Sequence, residues 1–245
     1  MGKHTQTGFT IIEIMLFLAV TGLLAIGILV GSGVSIGQQR YRDSVNSLKS
    51  FIQDQYSEVT NVDNSRSGGW TCDTGGAVTE VSSGQPRGTS DCVLIGRIIT
   101  VDATGTKLTS SNVVAYRTPG AAVLPGDIAE IATNYRMSIS PIDQVNQDVS
   151  WGAQIVQKKT TTPLSLSVLI IRSPLSGSLF TFTVDGATTN PSGMVATANT
   201  SQPRDLCVNA DIGSFVGRRM EVRIDAYATN QGGVLIPPES ESVCD

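Results

Sequence analysis

An α+β chain, in which one long N-terminal helix is packed on a β-rich head, is predicted by three features of these 245 residues. Between Ile14 and Gln39 there is no Asp, Glu, Lys or Arg, which makes 26 residues without a formal charge. After them apolar side chains recur mostly at steps of three, four and seven, the signature of an amphipathic helix. From Trp70 onward the pattern changes to short β-prone runs broken by Gly, Pro, Asn and Ser.

The first element has two halves. About 20 mostly apolar residues cross a bilayer as a helix, and a membrane span over about 14–36 meets that length. Tyr41, Val45, Leu48, Ile52, Val59 and Val62 then offer one stripe to a globular partner, with no proline between the halves. The helix is therefore expected to be continuous from Phe9 to about Val62, roughly 80 Å at 1.5 Å per residue. Asn64, Gly68 and Gly69 in "DNSRSGG" supply stop and turn chemistry, which sets a helix at 9–63 and a β-rich head at 64–245.

Eight runs in the head read as strands: "CVLIGRIITV", "NVVAYR", "NYRMSIS", "VSWGAQIVQ", "LSLSVLIIR", "SLFTFTV", "DLCVN" and "MEVRIDAYA". In the last, Met220, Val222, Ile224 and Ala226 alternate with Arg219, Glu221, Arg223 and Asp225, which predicts an apolar face and a mixed solvent face. "PGDIAEIATNY" has the spacing of a short helix or a strand entry.

Composition excludes several chemistries. The single histidine is His4, upstream of the apolar run. Ser-His-Asp and Cys-His nucleophile pairs and the commonest metal ligand are thereby removed from the rest of the chain. The net charge of −4 provides no overall basic field for nucleic acid. No enzyme activity, cofactor or metal is expected. "GVSIG" at 33–37 matches a hydrolase elbow in letters only, since it ends an apolar helix in place of following a strand.

Cys72, Cys92, Cys207 and Cys244 all follow the apolar run, and none forms a Cys-x-x-Cys pair. An even count without metal-type spacing reads as two disulfides in an oxidising compartment. Of three possible connectivities, neighbours in sequence are favoured: Cys72 with Cys92, and Cys207 with Cys244. The second would staple the tail "VLIPPESESVCD" to "DLCVN". Trp70 and Trp151 read as buried aromatics.

"MGKHTQTG" followed by "FTIIE" and the apolar run resembles the processing signal of bacterial type IV pilins and pseudopilins: a polar leader ending in Gly, then Phe, then Glu in the fifth mature position. The resemblance covers roughly the first 40 residues. It implies a leader at 1–8, cleavage by a prepilin peptidase after Gly8, N-methylation of Phe9, and a role for Glu13 in subunit assembly. It also implies a precursor held in the cytoplasmic membrane, handled by the inner-membrane pilus assembly machinery, and a mature form in an extracellular filament built by self-association. A carboxylate in lipid costs a few kcal/mol on insertion scales. Cleavage would create an α-amino group, largely protonated at neutral pH, able to pair with Glu13 of the same or an adjacent subunit. Gly27 with Gly31, and Gly33 with Gly37, form small-xxx-small pairs that permit close helix approach in lipid.

Two alternatives stand beside a filament subunit of a type IV pilus. One is a minor pilin or secretion pseudopilin. The other is a membrane-anchored binding protein whose head recognises a host surface, a glycan or DNA. "RRMEVRID" is the densest basic patch, but its alternating acids fit a half-buried strand better than a DNA surface.

Overall fold

In the computed structural model, which describes residues 10–61, 70–80, 90–197, 202–210 and 217–244, helix α1 runs unbroken from Ile11 to Thr60. Its 50 residues correspond to about 75 Å. Thr10 caps the start, its Oγ1 accepting from the Glu13 amide, and the Asn61 N–H donates to the Ser57 carbonyl at the end. The expected stop at 64–69, and Val62, lie outside the described residues.

The two halves of α1 have opposite surroundings. Ile11 to Ile36 are exposed throughout, and none of the most apolar 18-residue window is buried. From Gly37 onward, Tyr41, Ser44, Val45, Leu48, Phe51, Ile52, Gln55, Tyr56 and Val59 are buried. These positions repeat at three and four residues because one side of a helix returns every 3.6. The stripe read from sequence is thus present, broadened by Phe51 and Tyr56.

The head carries strands β1 (Trp70–Cys72), β2 (Val78–Glu80), β3 (Cys92–Val101) and β4 (Lys107–Arg117), then helix α2 (Asp127–Asn134). β5 (Tyr135–Ile139), β6 (Val145–Asp148), β7 (Gln154–Val156), β8 (Leu166–Arg172) and β9 (Leu179–Asp185) follow. Helix α3 (Pro191–Thr197) precedes β10 (Arg204–Asn209), β11 (Met220–Ile224) and β12 (Val234–Leu235). The larger sheet has the order β5-β4-β3-β8-β9, with β6 also paired to β4; the smaller has the order β12-β11-β10-β7. Both are antiparallel throughout, and β1 with β2 forms a separate hairpin.

Alternation along β8 explains the layering. Leu166, Val168 and Ile170 join the core under α1, whereas Leu169 and Ile171 join a second core with Phe182, Ile131 of α2 and Met194 and Val195 of α3. A strand covered on both faces reads as a continuous apolar run, and "LSLSVLIIR" does so. The first core also takes Leu206, Val208, Val222 and Ile224 from the smaller sheet, so both sheets and α1 share it. β3 and β8 meet at Gly96, beside a bulge, where a Cβ would stand 2.2 Å from the Ile170 carbonyl oxygen.

Several expectations require correction. "VSWGAQIVQ" is not one strand: Ser150–Gly152 forms a 3-10 turn with Trp151 at φ 59°, and only Gln154–Val156 pairs. "MEVRIDAYA" ends as a strand at Ile224, and Tyr227 turns at φ 56°. Trp151 is 57% exposed in place of being buried; the side chain of Trp70 lies outside the described residues. The outer face of β11 is not a solvent face, because Glu221 is buried.

Tyrosines fasten α1 to the head. The Tyr41 hydroxyl donates to the Val208 carbonyl (2.8 Å) and accepts from the Met220 amide (2.6 Å), entering the β10–β11 ladder at its end. Deeper in, the Thr181 hydroxyl donates to the Ala228 carbonyl (2.7 Å), which leaves the Tyr56 hydroxyl to donate to Thr181 (2.8 Å). Burial pushes the Tyr56 phenol up from 10.0 to about 12. A raised phenol pKa in the folded state means that the unfolded chain loses its proton first, so stability is intact below pH 10 and falls as pH rises toward 12. This loss amounts to about 3 kcal/mol. A Tyr56→Phe chain should lack that component of alkaline destabilisation in denaturation curves measured across this range.

Candidate assembly and anchoring surface

The surface most available for chemistry of association is the free half of α1. Ile11, Ile12, Met15, Leu16, Phe17, Leu23, Leu24, Ile28 and Leu29 are each largely exposed, far beyond the scattered apolar side chains of an ordinary soluble surface. Thr21 turns its hydroxyl back to the Phe17 carbonyl (2.8 Å), which satisfies it within the helix. A hydroxyl bonded within its own helix opposes lipid less than a free one would.

Glu13 stands at the tip of this half. Among the described residues its carboxylate has no ion-pair partner. Gly8 and Phe9, the expected processing and methylation residues, lie outside the described residues. Thr10 and Glu13 also occupy the N-cap and third positions of the helix, the spacing of a capping box. Sequence reading passed over that second role, although Thr-x-x-Glu before an apolar run is its ordinary signal.

The four glycines Gly22, Gly27, Gly31 and Gly33 have open space where a Cβ would stand. At about 100° per residue, Glu13 and Gly31 share one bearing and Gly27 lies about 40° away, in line with Val45 at the edge of the stripe that faces the head further along the helix. Gly37 differs from its expected role, because it is buried within its own chain. Only Gly33 of the Gly33–Gly37 pair is left open to a neighbouring helix.

Both disulfides have the favoured connectivity, Cys72 with Cys92 and Cys207 with Cys244. The second closes the C-terminal tail over the outer face of the smaller sheet. There Asp205 pairs with Lys158 (2.7 Å) and Arg223 (2.6 Å), and Arg223 pairs with Glu221 (2.8 Å). Burial acts to raise the Asp205 pKa, but the hydrogen bonds from Lys158 and Arg223 outweigh it and hold the carboxylate below its usual range. Glu221 also accepts from the Val243 amide (2.9 Å) of the tail. Arg223, at the centre of the basic patch, is thus committed to two carboxylates inside the fold. Cys207, Cys244 and Glu221 lie close together, but their sulfurs are bonded to one another and provide no thiolate ligand.

A third buried carboxylate shapes another part of the head. Glu130 of α2 accepts from the Leu124 amide (2.8 Å), Asn134 Nδ2 (2.6 Å) and Arg117 Nε (3.1 Å), which ties down the loop before α2. The Leu124 amide is the main cause of its lowered pKa. These acids are structural in their contacts, each saturated by partners from its own chain.

The chain matches no known protein family, no curated protein and no solved structure.

Proposed function

We propose that this chain is a structural subunit of a type IV pilus or related filament, processed after Gly8 and polymerised through the free half of α1. The observation that supports this reading most is one continuous helix with two surfaces. Its second half is buried in the head, while its first half is apolar, exposed and tipped by Glu13. A free apolar helix of this length is stable only in lipid or among copies of itself. The precursor would use the first environment and the filament the second.

In this reading the prepilin peptidase exposes the Phe9 amine, which is then methylated, and that amine meets Glu13 inside the helical bundle. The open side bearing Gly27 and Gly31 lets neighbouring helices approach closely. The head stands outside the bundle and carries contacts with partners or surfaces, and the assembly machinery of the inner membrane moves the subunit between the two states. Two disulfides suit an oxidising exterior.

Intact-mass and N-terminal measurement on the native protein tests the reading. The expected result is a chain beginning at Phe9 with one added methyl group, recovered from sheared surface filaments. A mature protein that begins anywhere else, or one confined to the membrane fraction of cells bearing no filaments, would count against it.

A further inference from the structure

Trp151 is the least expected side chain in the head. Trp is highly buried on average, yet this one is 57% exposed and has a backbone at φ 59°, ψ 30°. A bulky residue in the left-handed region is an outlier that costs roughly 1–2 kcal/mol and persists only when surrounding structure enforces it. The enforcement is visible. The amides of Val149 and Ala153 on either side donate to the carbonyls of Thr106 and Ser150, and Gly152 continues the turn at φ 69°. The strained turn aims the indole at Arg40 of α1, whose Cζ lies 4.9 Å from the ring centroid.

Arg40 is the first charged residue after the apolar half of α1. It follows Ile36, the last exposed apolar residue, by four positions, or about 6 Å along the axis. Helical side chains lean toward the N-terminus, so the Arg40 stem is directed back toward the apolar half. Trp and Tyr concentrate where hydrocarbon meets headgroups, because the ring is apolar and its N–H is polar. Arg near the end of a span places its stem in the apolar layer and its guanidinium among the phosphates.

We infer that Trp151 and Arg40 form an interfacial anchor that seats the base of the head on the phospholipid headgroup layer of the membrane that α1 crosses. This rests on the reading of α1 as a membrane span, and it adds a second, head-borne contact with the bilayer. Arg42 is exposed two positions after Arg40, but Asp43 follows it directly and Asp148 lies three residues before Trp151. The anchor therefore depends on the stacked ring and guanidinium rather than on a broad positive field. The occupant follows from continuity, since any bilayer that accepts residues 14–36 brings its headgroups to the level of Arg40.

The test uses the full chain reconstituted in phosphatidylcholine vesicles with and without phosphatidylglycerol. Tryptophan fluorescence is quenched by lipids brominated near the headgroup or near the chain end. Trp70→Phe isolates Trp151, and Trp151→Phe in the otherwise native chain gives the same share by difference should the first variant misfold. Shallow bromine is expected to quench Trp151 at least about twofold more than deep bromine. Arg40→Gln should lower the engaged population in anionic vesicles about fivefold. Retention of the chain through alkaline extraction with no bromine quenching of Trp151 overturns the anchor while leaving the span intact. Loss of the chain on extraction removes the span, and the anchor with it. Protection of Trp151 from iodide that rises with protein density, without bromine quenching, assigns the ring to a contact between subunits and also overturns the inference.

Discussion

Glu13→Ala is expected to abolish filament assembly while leaving the chain in the membrane with a folded head. The head is insulated from the change, since no described contact links Glu13 to any residue beyond the first turn of α1. Insertion should improve slightly, because a carboxylate near lipid costs a few kcal/mol. Assembly should fail for the opposite reason: the cleaved amine of a neighbour would enter an apolar bundle unpaired, and stranding one member of a buried pair costs about 3–5 kcal/mol. At about 1.4 kcal/mol per factor of ten, filament yield falls by two orders of magnitude or more.

The proposed charge pairing and the capping-box position give Glu13 two possible contributions, and a pair of controls separates them. Glu13→Gln preserves a side chain able to complete the capping box but removes its charge. Thr10→Ala preserves the charge but removes the hydroxyl that accepts from the Glu13 amide, which costs about 1 kcal/mol. If charge pairing drives assembly, the Gln variant should fail nearly as fully as Ala and the Thr10 variant should assemble with modest loss. Filament counts by electron microscopy, with membrane-fraction levels of each variant alongside, decide the matter. Normal filaments from Glu13→Gln would refute the pairing.

The contrast between the halves of α1 was legible because helical period and charge are local properties. No residue beyond position 62 is needed to see that 14–36 is apolar on every side and 41–59 on one side. β3 and β8 were legible for the related reason that central strands are apolar on both faces. β6, with the sequence VNQD, was not, because edge pairing through the backbone leaves no apolar pattern. The start of β4, KLTSS, was not, because it lies between β3 and β6 with the buried Ser110 and Ser111 in place of apolar side chains. The tail's effect was harder still. Alternation in β11 correctly separates Val222 and Ile224 from Glu221 and Arg223, but it cannot reveal that residues 239–244 return to cover the second face. Trp151 belongs to the same class: its exposure arises from a backbone turn held by Thr106, 45 positions earlier (151 minus 106). Local pattern thus gave the exposed apolar half of α1 and the stripe that follows it, whereas the contact between Trp151 and Arg40 required the three-dimensional turn.

Replacement of both Cys207 and Cys244 by Ser should cost about 4 kcal/mol, the chain-entropy value for a bond that closes 37 residues. For a domain of this size it corresponds to a melting temperature lower by roughly 10 °C. The bond does more than restrict the unfolded chain. Both cysteines are fully buried, and the segment they hold donates the Val243 amide to Glu221 and packs Cys244 against Val156. Once the tail can leave, water reaches Glu221, Arg223 and Asp205, and the carboxylates exchange one protein donor for solvent. Cys72 with Cys92 provides the internal comparison. It closes 20 residues, worth about 3 kcal/mol by the same relation, and ties the β1–β2 hairpin to the start of β3, so its removal should lower the transition by somewhat less and without any contribution from Glu221. Thermal unfolding of the two double variants in the same detergent, followed by circular dichroism, distinguishes them. If the tail's contacts with Glu221 contribute beyond the cross-link, Glu221→Gln should destabilise the native protein more than it does the variant lacking Cys207 and Cys244. Equal effects in both backgrounds would reduce the tail to a tether, with the buried acid stabilised by Arg223 alone.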